Sequence, residues 1–343
     1  MATLVTTITE TLRYKGKLGQ WSWVLHRVSG LGVVLFLILH VIDTSWAAFY
    51  PSLYAKAIAE YQSPIFTLGE FALVAAVIYH AMNGLRIVIF DFRPEWWHLQ
   101  QKAAMIVLGA TAVLLLPTFG LMFGHVLDHY DTNPDFVTIA EIIETQAQFL
   151  LGFVVIIAAA LLLSLAYALI TGETRNPVKH NRRPSQFDAW MWRFMRLSGL
   201  LIVPLVFGHL LMIHLIQGVF DITTVGHTVV GTDIVNESGR AVEFVGHRWD
   251  YLVAGVAIWR IYDGALLALV VIHGFNGLRY VVNDYAHDRV INRALNLAIG
   301  FGASALIILG FAALLAGVDE TAYNIAKDSL ETFSQTPTTP FGG

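Results

Sequence analysis

The chain has 343 residues, of which 56% are apolar and only 13% are charged, and its formal net charge is −4. Its mean hydropathy is +0.62. An ordinary soluble domain carries about 25% charged residues, so this composition favours a membrane protein. The weak negative charge argues against nucleic-acid binding, and the absence of cysteine excludes disulfides, thiolate nucleophiles and protein-ligated iron–sulfur clusters. The polar first twenty residues predict no signal peptide.

Seven apolar stretches follow in chain order, each long enough to cross a bilayer core of about 30 Å as a helix. Lipid offers no hydrogen-bond partner to the backbone, so helices are the expected structure of these stretches. The predicted fold is an all-α, polytopic transmembrane bundle. Its spans cover about 24–48, 65–90, 103–125, 148–170, 197–219, 262–282 and 294–316.

Basic residues are concentrated on one side of these spans. Sixteen of the 21 lysines and arginines lie before or at the start of span 1, or between spans 2 and 3, 4 and 5, and 6 and 7. The positive-inside rule therefore predicts a multi-pass protein of the cell (inner) membrane, with a cytoplasmic N-terminus and an external C-terminus.

The chain contains an internal repeat. WSWVLHRVSGL at 21–31 returns as WMWRFMRLSGL at 190–200, and HAMNGLRIVIFDF at 80–92 returns as HGFNGLRYVVNDY at 273–285. Each repeat holds three spans that start on the same side, so span 4 is the extra crossing that returns the chain. We predict a 3+1+3 arrangement of parallel repeats, with a first repeat over 1–130, a linking helix and loop over 131–185, and a second repeat over 186–343.

Four histidines within the spans form two repeat-equivalent pairs. His80 and His273 each lie six residues before an arginine, near the cytoplasmic side, whereas His40 and His209 lie about 20 Å in from the arginines that open their helices. Histidines inside a membrane are usually functional, and two imidazoles from facing helices are suitable ligands for a b-type haem. The pattern predicts two metal-ligating levels, one haem b between His80 and His273 and a second, outer haem between His40 and His209. The alternative is a hydrogen-bonding role between packed helices. His214 has no repeat mate and is interpreted as an interface residue that could replace His209.

At these motifs the chain resembles the membrane-anchor subunits of succinate dehydrogenase, respiratory complex II. HRVSG at 26–30 and HAMNGLRIVIFDF at 80–92 are similar to the first two helices of the larger anchor subunit. HGFNGLRYVVNDY at 273–285 is similar to the second helix of the smaller one. The resemblance implies a fusion of the two anchors through span 4. It also implies a flavoprotein subunit and an iron–sulfur subunit docked on the cytoplasmic face, with quinone as the electron acceptor.

The resemblance further implies haem-binding roles for single residues. His80 and His273 match the axial ligands of the haem between the two anchors. His26 and Arg196 match positions near the haem propionates. His40 and His209 match no ligand of single-haem relatives, but they are similar to first-helix ligands of two-haem relatives.

The quinone site is implied in the same way. Arg27 matches the family's arginine at the quinone pocket, beside the iron–sulfur subunit. Asp284 and Tyr285 match the aspartate and the quinone-hydrogen-bonding tyrosine of the smaller anchor. Their chemistry agrees independently, because quinone reduction needs a hydrogen-bond donor, a positive charge and a water-connected acid. Trp23 stands where a serine often lines this pocket, so the shape of the pocket and the type of quinone stay open.

Three other functions remain open at this point. A di-haem quinol-oxidising cytochrome b of another respiratory complex carries two histidines on each of two helices, whereas here four helices carry one each. A parallel-repeat transporter would need a polar site near the bilayer centre, for which Asp43 and Glu70 are candidates without repeat mates. The third possibility is a haem-free anchor. Membrane lipid is an expected partner, and a homo-oligomer of the whole complex is possible.

Overall fold

The computed structural model describes residues 16–132, 139–172 and 185–319, together with Asn324. These residues form nine α-helices, joined by 3-10 helices at Pro94–Leu99 and Asp221–Thr223 and by a π-helix at Leu211–Ile216. The helices are α1 Leu18–Phe49, α2 Pro51–Tyr61, α3 Pro64–Phe92, α4 Gln100–Thr132, α5 Ile139–Thr171, α6 Gln186–Leu210, α7 Ala241–Asp250, α8 Ile258–Tyr285 and α9 Arg289–Ala316.

Seven of the described helical segments are long and apolar enough to cross a membrane, as the sequence predicted. They extend beyond the predicted spans because polar and aromatic flanks continue the same helices, as at Leu18 in α1. Capping fixes two of the starts: the Ser185 hydroxyl accepts a hydrogen bond from the Asp188 backbone N–H, and the Asp288 carboxylate accepts from Val290 and Ile291. The predicted orientation stays a prediction, and the basic segments 1–15 and 173–184 lie outside the described residues.

Four helices, α1, α3, α6 and α8, form the centre of the bundle, and they are the first two spans of each repeat. They meet across the repeats, because α1 packs against α8 and α3 against α6. Helix α4 packs on α3, and α9 packs on both α8 and α1. Helix α5 packs against α9, where the Ser164 hydroxyl donates to the Val290 carbonyl at 2.8 Å and the Arg293 guanidinium lies 4.2 Å from the centre of the Tyr167 ring.

A structured cap closes one end of the bundle, although the sequence predicted only a long loop over 220–261. The cap consists of α2 and residues 217–257, including α7, which packs against α2. Asn236 is 1% exposed, and its side chain fixes the cap by donating to the Ile222 carbonyl and accepting from the Gly239 N–H, both at 3.0 Å. We call this end the outer end of the bundle, and the end that carries Arg27 the inner end.

Arg248 and Trp249 of α7 connect the cap to the spans. The Arg248 guanidinium donates to the Val230 carbonyl at 2.9 Å and lies 3.9 Å from the centre of the Trp259 ring. Burial lowers the pKa of Arg248, while the neighbouring Asp263 and Tyr262 oppose that shift. The Trp249 indole N–H donates to the Asp263 carboxylate of α8 at 3.2 Å. The cap is therefore fixed to the outer end by polar contacts as well as by apolar packing.

Candidate functional site

A mostly apolar cavity of about 730 Å³ runs along the centre of the bundle between α1, α3, α6 and α8. Its lining on α1 extends from His26 to Ser45, which is about 28 Å along the helix axis. The size lies in the range of cofactor pockets. Both predicted histidine levels line this one cavity, together with polar groups at its two ends. These lining residues include His26, Arg27, Arg196 and Asp284 at the inner end, His80 and His273 beyond them, and His40, His209, His214 and Trp249 at the outer end.

The inner imidazoles, His80 and His273, are held at equivalent nitrogen atoms. The Nδ1 atom of His80 lies 3.1 Å from the His26 carbonyl oxygen and 3.4 Å from the Ser29 hydroxyl. The Nδ1 atom of His273 lies 2.9 Å from the Ser198 hydroxyl, and Ser198 is the repeat mate of Ser29. Ligating histidines usually bond their second ring nitrogen in this way, which leaves Nε2 available for a metal. The two side chains are therefore held alike, each through Nδ1.

Two glycines of the repeated Ser-Gly motif give these imidazoles room. A Cβ atom on Gly30 would lie 2.8 Å from Cε1 of His80, and a Cβ atom on Gly199 would lie 3.4 Å from Cε1 of His273. A side chain at Gly30 would therefore clash with the ring, whereas the same change at Gly199 gives a contact that is close to normal.

We expect the Gly30→Ala variant to displace the His80 ring and to lower the thermal stability of the purified protein, because overpacking typically costs about 1–3 kcal/mol. Gly199→Ala is the matched control and should change the stability much less. A thermal unfolding curve measures the effect. Equal losses of thermal stability in the two variants would contradict the expected difference between the Gly30 and Gly199 contacts.

His26 breaks the symmetry of the two halves, since its repeat mate is Met195. Its ring stacks on that of His80 with a centroid distance of 3.9 Å and an interplanar angle of 7°. Its Nδ1 atom is buried and has no hydrogen-bond partner among the described residues. The sequence predicted a position near the haem propionates, and the structure adds direct contact with a proposed ligand.

Two ion pairs cross between the repeats at the inner end. Arg27 of α1 pairs with Asp284 of α8, and Arg196 of α6 pairs with Asp91 of α3, with 2.7 Å between Nη2 and Oδ2 in the second pair. Arg27 and Arg196 are repeat mates, as are Asp91 and Asp284. The two pairs are therefore reciprocal contacts, each joining the first span of one repeat to the second span of the other.

The remaining predicted quinone residues lie around the first of these pairs. The Arg27 guanidinium lies 4.0 Å from the centre of the Trp23 ring, which is half-exposed. Tyr285, the last residue of α8, is 67% exposed and lies outside the cavity. The structure thus brings Trp23, Arg27 and Asp284 together and leaves Tyr285 at the surface beside Asp284.

The outer level contains three imidazoles instead of the predicted two. The ring centre of His40 lies 5.9 Å from that of His209 and 6.5 Å from that of His214, and the last two are 5.5 Å apart. Glu70 of α3 contacts His214, with 2.5 Å between Oε1 and Nδ1. No group of three or more histidine, aspartate or glutamate side chains suited to holding a metal ion occurs in the part of the chain that the structure describes.

This architecture defines a multi-pass membrane protein with a histidine-lined cavity between its helices. The family model of the succinate dehydrogenase/fumarate reductase transmembrane subunit matches residues 7–116 and 172–318, and the chain belongs to that family. Membership of this family favours an anchor subunit and argues against both the transporter and the cytochrome b of another complex. It does not decide whether the anchor contains haem.

Three relatives agree with this assignment, and each aligns with about a third of the chain. The succinate dehydrogenase 2 membrane subunit SdhC of Mycobacterium tuberculosis is 38% identical over 136 residues, which is 38% of this chain and 99% of the relative. A succinate dehydrogenase hydrophobic membrane anchor subunit of Halobacterium salinarum is 29% identical over 29% of this chain and 80% of its own length. The corresponding subunit of Archaeoglobus fulgidus is 28% identical over 31% of this chain and 89% of its own length. No solved structure matches the chain.

Proposed function

We propose that the protein is the haem b membrane anchor of a succinate:quinone oxidoreductase, in which two anchor units are fused through α5. Two observations support the fusion. The family match falls in two segments, and the gap between them, 117–171, contains α5. The relative from Mycobacterium tuberculosis aligns over nearly its whole length with only 38% of this chain, which is the size of one unit. The domain division at 1–130, 131–185 and 186–343 follows from the same proposal.

The inner haem is the central element of this proposal, and the observation that carries it is the paired arrangement of His80 and His273. Both imidazoles line one cavity, both have Nδ1 engaged, and they come from opposite halves of the bundle. His26 and Arg196 line the same end of the cavity, where they would contact the propionates of a haem. A haem b supplies one-electron transfer when it is bound there.

The quinone site lies beside this level, at the inner end. The Tyr285 hydroxyl donates a hydrogen bond to a quinone carbonyl, the Arg27 guanidinium stabilises the negative charge that develops, and the half-exposed Asp284 carboxyl exchanges protons with water. Trp23 holds Arg27 from the other side and shapes the pocket. The iron–sulfur subunit, with the flavoprotein beyond it, docks on this surface, delivers electrons and covers the exposed Tyr285.

A second haem would be held between His40 on α1 and His209 on α6, the pair that the repeat predicts. Such a haem requires the His214 ring to move, because its centre lies 5.5 Å from that of His209 and 6.5 Å from that of His40, in the space of the porphyrin. The cap lies over this level, since Trp249 lines the cavity there, and it limits the access of water. In this arrangement the inner end faces the cytoplasm, where the soluble subunits are, and the cap faces the outside of the cell membrane.

A pyridine haemochrome assay combined with a redox titration of the purified complex tests this function. We expect two haems b per chain, titrating as separate steps. One haem per chain would contradict the outer level and leave the inner one standing. No haem at all would contradict the cytochrome function and favour a haem-free anchor.

A further inference from the structure

The inner end contains four arginines in two repeat-equivalent pairs, and Arg86 differs from the other three. Arg27, Arg196 and Arg279 each form an ion pair with an aspartate. Arg86 is the repeat mate of Arg279, and its Nε and Nη1 atoms are buried without a hydrogen-bond partner in the part of the chain that the structure describes. Burial of a charged donor without an acceptor is unfavourable, so an anion from outside this chain would stabilise Arg86.

The second repeat shows what kind of partner this arginine takes. The Nη1 and Nη2 atoms of Arg279 donate to Oδ1 of Asp188 at 3.1 Å and 3.0 Å. Asp188 lies two positions before the second copy of the repeated motif, and Gly19 lies two positions before the first. Neither α1 nor α4 has an acidic residue in its first turn. The first repeat therefore keeps the arginine but has no carboxylate at the corresponding position.

Contacts between α1 and α3 fix the position of Arg86. Asn83 is fully buried, and its Oδ1 atom accepts a hydrogen bond from the Ser22 hydroxyl at 2.8 Å. The two helices run in opposite directions, so Arg86, three residues after Asn83, lies level with Gly19, three residues before Ser22. A Cβ atom on Gly19 would lie 3.1 Å from Oε1 of Gln100, the first residue of α4. The guanidinium is therefore beside the first turns of α1 and α4, whose positive ends favour an anion.

This groove between α1, α3 and α4 is separate from the central cavity. His80, Gly84 and Val88 are among the residues of α3 that line the cavity, and their four-residue spacing places them on one side of the helix. Arg86 lies about 160° around the helix from Gly84 and is not among the lining residues. A haem in the cavity therefore does not supply the anion.

The groove lies at the level of the membrane surface. Helix α3 ends six residues after Arg86, which is about 9 Å along its axis. The 3-10 helix that follows turns back here, with 6.0 Å between the ring centres of Trp97 and Phe90. Trp96 and Trp97 are about half exposed, as indoles at a membrane interface are. The guanidinium is thus placed where lipid head groups lie.

We propose that Arg86 binds the phosphate of an anionic phospholipid in this groove at the inner end. A guanidinium forms two parallel hydrogen bonds with a phosphate, and basic pockets between transmembrane helices bind anionic head groups. Lys17 and Lys102, at the starts of α1 and α4, add positive charge, which favours an anionic head group over a zwitterionic one. The phosphate takes the place that Asp188 has in the second repeat. This site requires neither haem nor quinone, so it is tested separately from the proposed function.

The phospholipid retained by the purified complex tests the site. Native mass spectrometry counts the bound lipids of the wild type and of two variants. We expect Arg86→Gln to retain one phospholipid fewer per chain. Arg93→Gln is the control, because Arg93 lies at the same end with 63% of its side-chain surface exposed, and it should retain the wild-type number. An unchanged lipid count in Arg86→Gln, or the same loss in Arg93→Gln, would overturn the site.

Gly19→Asp tests the site with Arg86 still in place. The new side chain meets only the flexible end of Gln100, and its carboxylate should pair with Arg86 as Asp188 pairs with Arg279. This variant should therefore lose the same phospholipid as Arg86→Gln. Retention of that lipid would overturn the inference that its phosphate takes the place of the carboxylate.

Thermal unfolding of the delipidated complex identifies the source of the phosphate. Added phosphatidylglycerol should raise the unfolding temperature of the wild type and of Arg93→Gln, because a ligand of the folded state stabilises it. Arg86→Gln and Gly19→Asp should not respond, although without lipid they should unfold at or above the wild-type temperature, since neither buries an unpaired charge. A wild-type response to inorganic phosphate as large as that to phosphatidylglycerol would overturn the lipid in favour of a free anion.

The subunit composition of Arg86→Gln separates this site from a contact with another protein. The variant should keep the iron–sulfur subunit in the wild-type ratio. Loss of that subunit with an unchanged lipid count would assign Arg86 to a carboxylate of the partner and overturn the lipid site.

Discussion

The His273→Ala complex should lose the inner haem and retain the outer one, so that its haem content falls by about half. The reason is that a b-type haem is held only by its ligands and its pocket, since the chain has no cysteine to form a covalent link. His80→Ala should have the same effect, and the double variant should lose no more than either single one, because both side chains serve one iron. Pyridine haemochrome analysis of the purified complexes measures the result.

His227→Ala is a suitable control for these variants. His227 lies in the outer cap with its side chain about half exposed, and its removal should leave the haem content unchanged. A His273→Ala complex with the haem content and redox titration of the wild type would refute the ligand assignment.

The Tyr285→Phe complex should reduce quinone about a hundredfold more slowly, because the variant removes the hydroxyl that donates to the quinone carbonyl. The ring is retained, so the surface offered to the iron–sulfur subunit changes little. Succinate oxidation with a soluble dye that accepts electrons from the soluble subunits should stay at the wild-type rate. The two rates, measured on one preparation, separate the quinone step from the rest of the enzyme.

Phe92 provides the matched control, because it occupies the repeat-equivalent position at the end of α3 and is also exposed. Phe92→Leu should leave quinone reduction unchanged. If Tyr285→Phe reduces quinone at the wild-type rate, the donor must be sought elsewhere, and Tyr280 is the next candidate because it lines the cavity.

The sequence predicted the seven spans because a run of about twenty apolar residues has one stable structure in lipid. It also predicted that His80 and His273 share a cavity, since the repeated motif required equivalent positions in the two halves. The sequence also predicted that Arg27 and Asp284 lie at the same end of the bundle. In the structure the two side chains form an ion pair.

Other features depended on contacts that no local pattern shows. The cap was missed because α7 has only ten residues and owes its stability to burial against α2. His214 was interpreted as an interface residue because it has no mate in the first repeat. The structure places its ring beside those of His40 and His209, in a π-helical turn for which the sequence has no clear signature. Exposure of Tyr285 could not be predicted, because helix ends carry little periodic information.

The crossed ion pairs have a consequence for how the two halves find each other. In a dimer of two identical halves, an arginine equivalent to Arg27 would meet an aspartate equivalent to Asp91, so these charges would form equally well between like halves. They cannot by themselves select the mixed pair in which Arg27 meets Asp284. Joining the halves through α5 raises the effective concentration of the correct partner to the millimolar range or above. A single gene product therefore fixes a stoichiometry of one to one, which separate anchors must achieve by recognition alone.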